Sequence, residues 1–147
     1  MSLLPHSCAP FFLLDVPDIT DSEWFMAVGA LQGYEHANGR ALDLWQSTYP
    51  DALLLALTDT FSTEVFFKDF TKERAERWSG IRQDSGDPYV YAPRAKEVYE
   101  KLGVDYKNKK IIIFSDSIDV EKALKLREQT RELGFLSMRA RLSLRIT

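Results

Sequence analysis

The chain has 147 residues, of which 45% are hydrophobic and 28% charged, enough for one domain with a buried core and ordinary for a globular protein. A net charge of −3 lacks the basic excess on which nucleic-acid binding rests. Cys8 is the only cysteine, which excludes an internal disulfide and suits a reducing compartment.

Residues 1–19 read as irregular, with Pro5, Pro10 and Pro17 breaking any helical pattern. Their short apolar patch lacks the basic start of a signal peptide, and no apolar run reaches the ~18 residues of a membrane span. The expected location is the cytoplasm, with no membrane or nucleic-acid partner. In TDSEWFMAVGAL, Thr20 and Glu23 stand in capping-box spacing and predict a helix start. A second helix is expected over 34–49, ended by Pro50. ALLLALTDT, residues 52–60, is a continuous apolar run of strand length, as a strand buried on both faces requires. STEVFFKDF and KERAERW read as short helices.

GIRQDSGDP, residues 80–88, is a strand running into a polar loop. Arg82 and Asp84, two apart on an extended strand, point to the same face. They have no helix to cap, so a ligand-gripping role stands beside a plain surface pair. A helix follows over about 89–102, stopped by Gly103. KIIIFSDS, residues 110–117, repeats the apolar strand with a polar end, and residues 119–134 form an amphipathic helix that Gly134 stops.

Strand, polar end and helix thus recur as a βα series, in which ligands sit at the carboxyl ends of the strands. Three clusters would converge on one rim: Thr58, Asp59 and Thr60; Arg82, Asp84 and Asp87; Ser115, Asp116 and Ser117. Acids with one arginine suit a ligand that carries hydroxyls and an anionic group, or one that arrives with a divalent cation. Structural readings compete. Asp87 before Pro88 is a common helix opening, and Asp59 and Asp116 also fit turn or helix-start positions. His36 fits a helix face, and Trp24, Trp45 and Trp78 fit the core. There is no metal-ligand spacing, P-loop or dinucleotide fingerprint.

Taken together, GIRQDSGDP, ALTDTF, EWFM, YEHAN and IIIFSDSIDVEKAL resemble the nicotinate phosphoribosyltransferase family in its fungal form, from about Glu23 to about Ser137. The resemblance implies an α/β fold: a type II phosphoribosyltransferase barrel with parallel strands, of which residues 20–137 would be roughly half. Residues 1–19 and 138–147 would be divergent ends. It implies formation of nicotinate mononucleotide from nicotinate and phosphoribosyl pyrophosphate. ATP hydrolysis would be coupled through a phosphorylated histidine, with Mg2+ on the pyrophosphate. By matching motif, Arg82 would face the nicotinate carboxylate, and Ser85, Gly86 and Asp87 would join it in binding substrate. Asp59 and Asp116 would hold the ribosyl pyrophosphate and its metal, and Asp84 and Asp116 would be catalytic.

Two segments depart from the family pattern. DITDSEW stands where the family has GT-x-AHEW, so Ser22 occupies the position of the phosphorylated histidine and Ile19 that of the threonine. MRARLSLRIT stands where the family has a glycine-rich FGIGT-like loop, and Arg139, Arg141 and Arg145 read as a solvated tail. Such abrupt divergence at both ends suggests a truncated or frame-altered gene model. The alternatives are a catalytically impaired fragment or non-catalytic binding remnant of that family, or a phosphoribosyltransferase for nicotinamide or quinolinate.

Overall fold

The computed structural model describes residues 20–50 and 52–142. Their elements in chain order are α1 (Ser22–Gln32), α2 (Ala37–Thr48), β1 (Leu55–Leu57), α3 (Thr63–Asp69), α4 (Lys72–Arg77), β2 (Gly80–Gln83), α5 (Pro88–Lys101), β3 (Ile111–Ile118), α6 (Val120–Glu132) and β4 (Ser137–Leu142). Both residues 1–19 and Arg145 lie outside the described residues.

Side-chain caps open most of the helices. Asp87 accepts from Tyr89 N at 2.9 Å and Asp119 from Lys122 N at 2.8 Å, satisfying amides that have no partner within the helix. Gly134, at φ +92°, follows α6 in the left-handed region that stops helices. The first helix corrects an expectation: Asp21, not Thr20, is its cap and accepts from Trp24 N. Thr20 is fully buried and serves β1 instead, its Oγ1 accepting from Leu57 N at 2.8 Å and its N–H donating to Leu55 O at 3.1 Å. The second helix begins at Ala37 rather than residue 34, because His36 is left-handed at φ 60°. β1 spans Leu55–Leu57, shorter than its apolar run.

The four strands pair in parallel in the order β1-β2-β3-β4. Each crossover therefore steps to the next neighbour in one direction. Right-handed crossovers of that kind stack the helices on one face of the sheet. Residues from all six helices join Ala56, Ile81, Ile112 and Phe114 in one core, centred on Trp78, Tyr99, Phe25, Phe66 and Phe70. The opposite face carries a small separate cluster of Leu55, Ile111 and Ile113. Helices outside, strands in sequential order and a second apolar face inside make an arc of a (β/α) barrel, the expected fold class.

β4 was not expected. Met138 and Ala140 pack against the helix-side core, so residues 138–142 continue the sheet instead of forming a solvated tail. Among the described residues, no helix is long and apolar enough to cross a membrane.

Candidate functional site

At the carboxyl end of β2, Arg82 lies in register with Ile113 of β3, on the face away from the helices. Only 17% of its side chain is exposed. Nε donates to Ser115 Oγ at 2.8 Å and Nη2 to Asp84 Oδ1 at 3.0 Å, while the Ser115 hydroxyl donates to the same carboxylate oxygen. The three side chains close a triangle across two strands. Burial is the largest influence on Asp84 and pushes its carboxyl up. The Ser115 hydrogen bond and the positive charges of Arg82 and Arg141 outweigh it, so Asp84 sits below its ordinary value.

Asp59 reaches across from the end of β1. Its Oδ2 accepts from Asp84 N at 3.0 Å, Ser85 N at 2.6 Å and Ser85 Oγ at 2.7 Å. This carboxylate is therefore neither a local turn acid nor a helix cap. It pins the loop after β2, which Gly86 lets turn at φ +91° and Gln83 Nε2 ties to Ser85 O at 2.9 Å. Beneath the loop, buried Thr58 Oγ1 and Tyr91 OH share a hydrogen bond of 2.8 Å, joining β1 to α5.

The remaining sequence candidates divide. Asp87 caps α5, so one of its oxygens is committed to the helix. Asp116, exposed on β3, accepts from Ser117 Oγ at 2.9 Å and has no hydrogen bond to the triangle. Ser22, the first residue of α1, is half-buried beside the rim, its Oγ accepting from Thr60 Oγ1 at 3.5 Å. His36 belongs to a different feature, its Nδ1 3.0 Å from Asp69 Oδ1, while Asp69 Oδ2 accepts from Gly39 N at 3.2 Å. That pairing latches α2 to α3.

Sequence reasoning missed the place of Arg139 and Arg141. Arg139 is in register with Ile113 and hence in the same row as Arg82, and Arg141 lies close enough to act on Asp84. The alternation of MRARL, apolar then charged, was the signal for a strand. Among the described residues, no three His, Cys, Asp or Glu side chains form a metal-holding group. A shallow cavity lined by Arg127, Arg131, Phe135 and Met138 shares no residue with the rim.

Comparison with known proteins shows what the chain is similar to. Residues 14–141 match the model of the nicotinate phosphoribosyltransferase (NAPRTase) family. A nicotinate phosphoribosyltransferase of Methanosarcina mazei is 44% identical over 106 residues, covering 72% of this chain and 26% of that one. A Schizosaccharomyces pombe protein named "Probable nicotinate phosphoribosyltransferase" is 37% identical over 129 residues, covering 84% and 31%. The crystal structure of the Porphyromonas gingivalis nicotinate phosphoribosyltransferase superposes with a TM-score of 0.76 at 36% identity, over 83% of this chain and 31% of that one. The chain thus spans roughly a quarter to a third of the length of these relatives. With a family match from residue 14 to 141 and a like fold beneath the Arg82–Asp84–Ser115 triangle, the chain belongs to the nicotinate phosphoribosyltransferase family.

Proposed function

We propose that this chain carries a substrate rim for making nicotinate mononucleotide from nicotinate and phosphoribosyl pyrophosphate. The observation behind the reading is Arg82, a guanidinium aligned by Ser115 and Asp84 at the carboxyl ends of parallel strands. A planar fork suits a planar carboxylate, so Arg82 would orient the nicotinate ring by its acid group. As the ring nitrogen attacks ribose C1 and pyrophosphate leaves, positive charge builds on the sugar. Asp84 Oδ2 and Asp59 Oδ1, not used in the contacts above, supply negative charge beside it. Ser85, Gly86 and Asp87, in the loop after β2 that Asp59 pins, would join Arg82 in binding substrate.

Mg2+ commonly binds through one or two carboxylates plus substrate phosphates, which fits a rim holding Asp59 and Asp116 without a dedicated cage. When bound, the ion would neutralise the departing pyrophosphate. ATP enters the reading through family resemblance. Ser22 does not fit that role, because a serine ester lacks the lability of a phosphohistidine. A second reading, a binding remnant with impaired catalysis, is favoured by Ser22, which stands where the family has its phosphorylated histidine. The single Cys8 supports a reducing, cytoplasmic location.

Calorimetric titration of nicotinate and nicotinamide into the purified chain tests the carboxylate reading. Nicotinate should bind at least about tenfold tighter, since only it satisfies the guanidinium. Equal affinities would overturn the assignment. Adding phosphoribosyl pyrophosphate and following the mononucleotide then separates an enzyme from a binding remnant.

A further inference from the structure

The loop after β1 carries Asp59, the carboxylate that pins Asp84 and Ser85, yet its own anchoring is uneven. Before Asp59, Thr58 is fixed twice: its N–H donates to Arg82 O at 3.0 Å, and its Oγ1 shares the 2.8 Å hydrogen bond with Tyr91 OH. After Asp59, the chain reaches α3 with only the long Thr60–Ser22 hydroxyl contact of 3.5 Å among the described residues. What holds this side is an aromatic contact. Phe61 meets Tyr34, in the loop between α1 and α2, edge to face, with ring centroids 5.8 Å apart and planes at 88°.

The α1–α2 loop is shaped around that ring. Gly33 at φ +90° and His36 at φ 60° bracket it with positive φ. Gly33 N–H donates to Gly29 O at 2.9 Å, and Ala37 N–H to Tyr34 O at 3.2 Å. His36 Nδ1 lies 3.0 Å from Asp69 Oδ1, so the loop grips α3 near both of its ends. Tyr34 also lies against Gly29 of α1, where an added Cβ would come within 2.6 Å of the ring. Gly29 is therefore the clearance that lets the ring reach Phe61. Tyr34 stays 64% exposed, so the contact adds little to the core.

We propose that Tyr34 is a positioning residue: its ring holds Phe61, and through it the loop after β1, so that Asp59 stays aimed at Asp84 and Ser85. The inference deepens the proposed function, on which it rests only for what the rim binds. An edge-to-face ring pair is strong enough to change the opening of such a loop about two- to tenfold.

Native-state amide hydrogen exchange tests this, because the Asp84 and Ser85 amides both donate to Asp59 Oδ2. In Tyr34→Ala both amides should exchange about two- to tenfold faster, while fully buried Ile112 of β3 keeps its rate. Tyr34→Phe keeps the ring and should keep the original rates. Gly29→Ala puts a better helix former into α1 but displaces the ring, so it should speed the same two amides and leave Ile112 protected. Unprotected Asp84 and Ser85 amides in the original chain, or rates unchanged in either alanine variant, refute the proposal. Equal acceleration at Ile112 also refutes it, because the ring would then support the whole fold. Nicotinate is titrated into the same variants. Faster exchange with unchanged nicotinate affinity would uphold Tyr34 as a positioning residue and overturn the part given to the Asp59-held loop in substrate binding.

Discussion

Arg82, Asp84 and Ser115 form a unit whose parts depend on one another. Replacing Arg82 by lysine keeps the charge but loses the fork that holds Ser115 and a carboxylate together. Arg82→Lys should weaken nicotinate binding by ~1–3 kcal/mol, more than it weakens phosphoribosyl pyrophosphate binding. Equal losses for the two substrates would contradict the assignment of Arg82 to the nicotinate carboxylate. Asp84 offers a second measure. Its folded pKa lies below its unfolded value of ~3.9, so the stabilisation it brings is full above that value and is lost as pH falls through the folded pKa. Ser115→Ala removes one of the groups holding it down. The Asp84 carboxyl, followed by carbon NMR during acid titration, should then titrate at higher pH, closer to the ordinary carboxylate range. An unmoved titration would show that Ser115 does not stabilise the charged form.

At the scale of elements, the rim depends on how short strands are held at their ends. β1 has three residues, too few for its own ladder to define it, and Thr20 supplies hydrogen bonds along its free side. Thr20→Val preserves shape but leaves the buried Leu57 N–H unsatisfied, which should cost ~1–3 kcal/mol in denaturant unfolding. A cost near zero would mean that β1 is held by packing alone. Asp59 has the matching role at the strand's other end, where it receives three hydrogen bonds from Asp84 and Ser85. A loop that would otherwise be loose becomes a fixed wall of the site.

For the whole molecule, the helices cover one face of the sheet and β4 is its last strand among the described residues. Sheet edges invite pairing with other chains, and charged side chains on the edge strand oppose it. Arg139 and Arg141 place like charges there, so two copies meeting at this edge repel one another. Salt near 1 M shortens the screening length from ~10 Å to ~3 Å and should relieve that repulsion. Light scattering should therefore report a higher mean mass as salt rises. A mass independent of salt would show that charge does not guard this edge.

The sequence by itself determined the elements whose signals are local. The Asp87–Pro88 opening of α5, the glycine after α6 and the apolar run of β3 all lie where periodicity and end residues predicted. Five short segments in order were likewise enough to point to the family. Only the tertiary structure decided which polar groups meet. Asp59 and Ser85 are 26 residues apart, and Arg82 and Ser115 are 33. Parallel pairing separates neighbouring strands by an entire crossover, so no local pattern records which side chains will face one another. The same reason explains Thr20, whose spacing suggested a helix cap but whose hydroxyl found a strand 37 residues away. It also explains Arg139 and Arg141, ordinary charges in the sequence, which became part of the rim once β4 paired with β3.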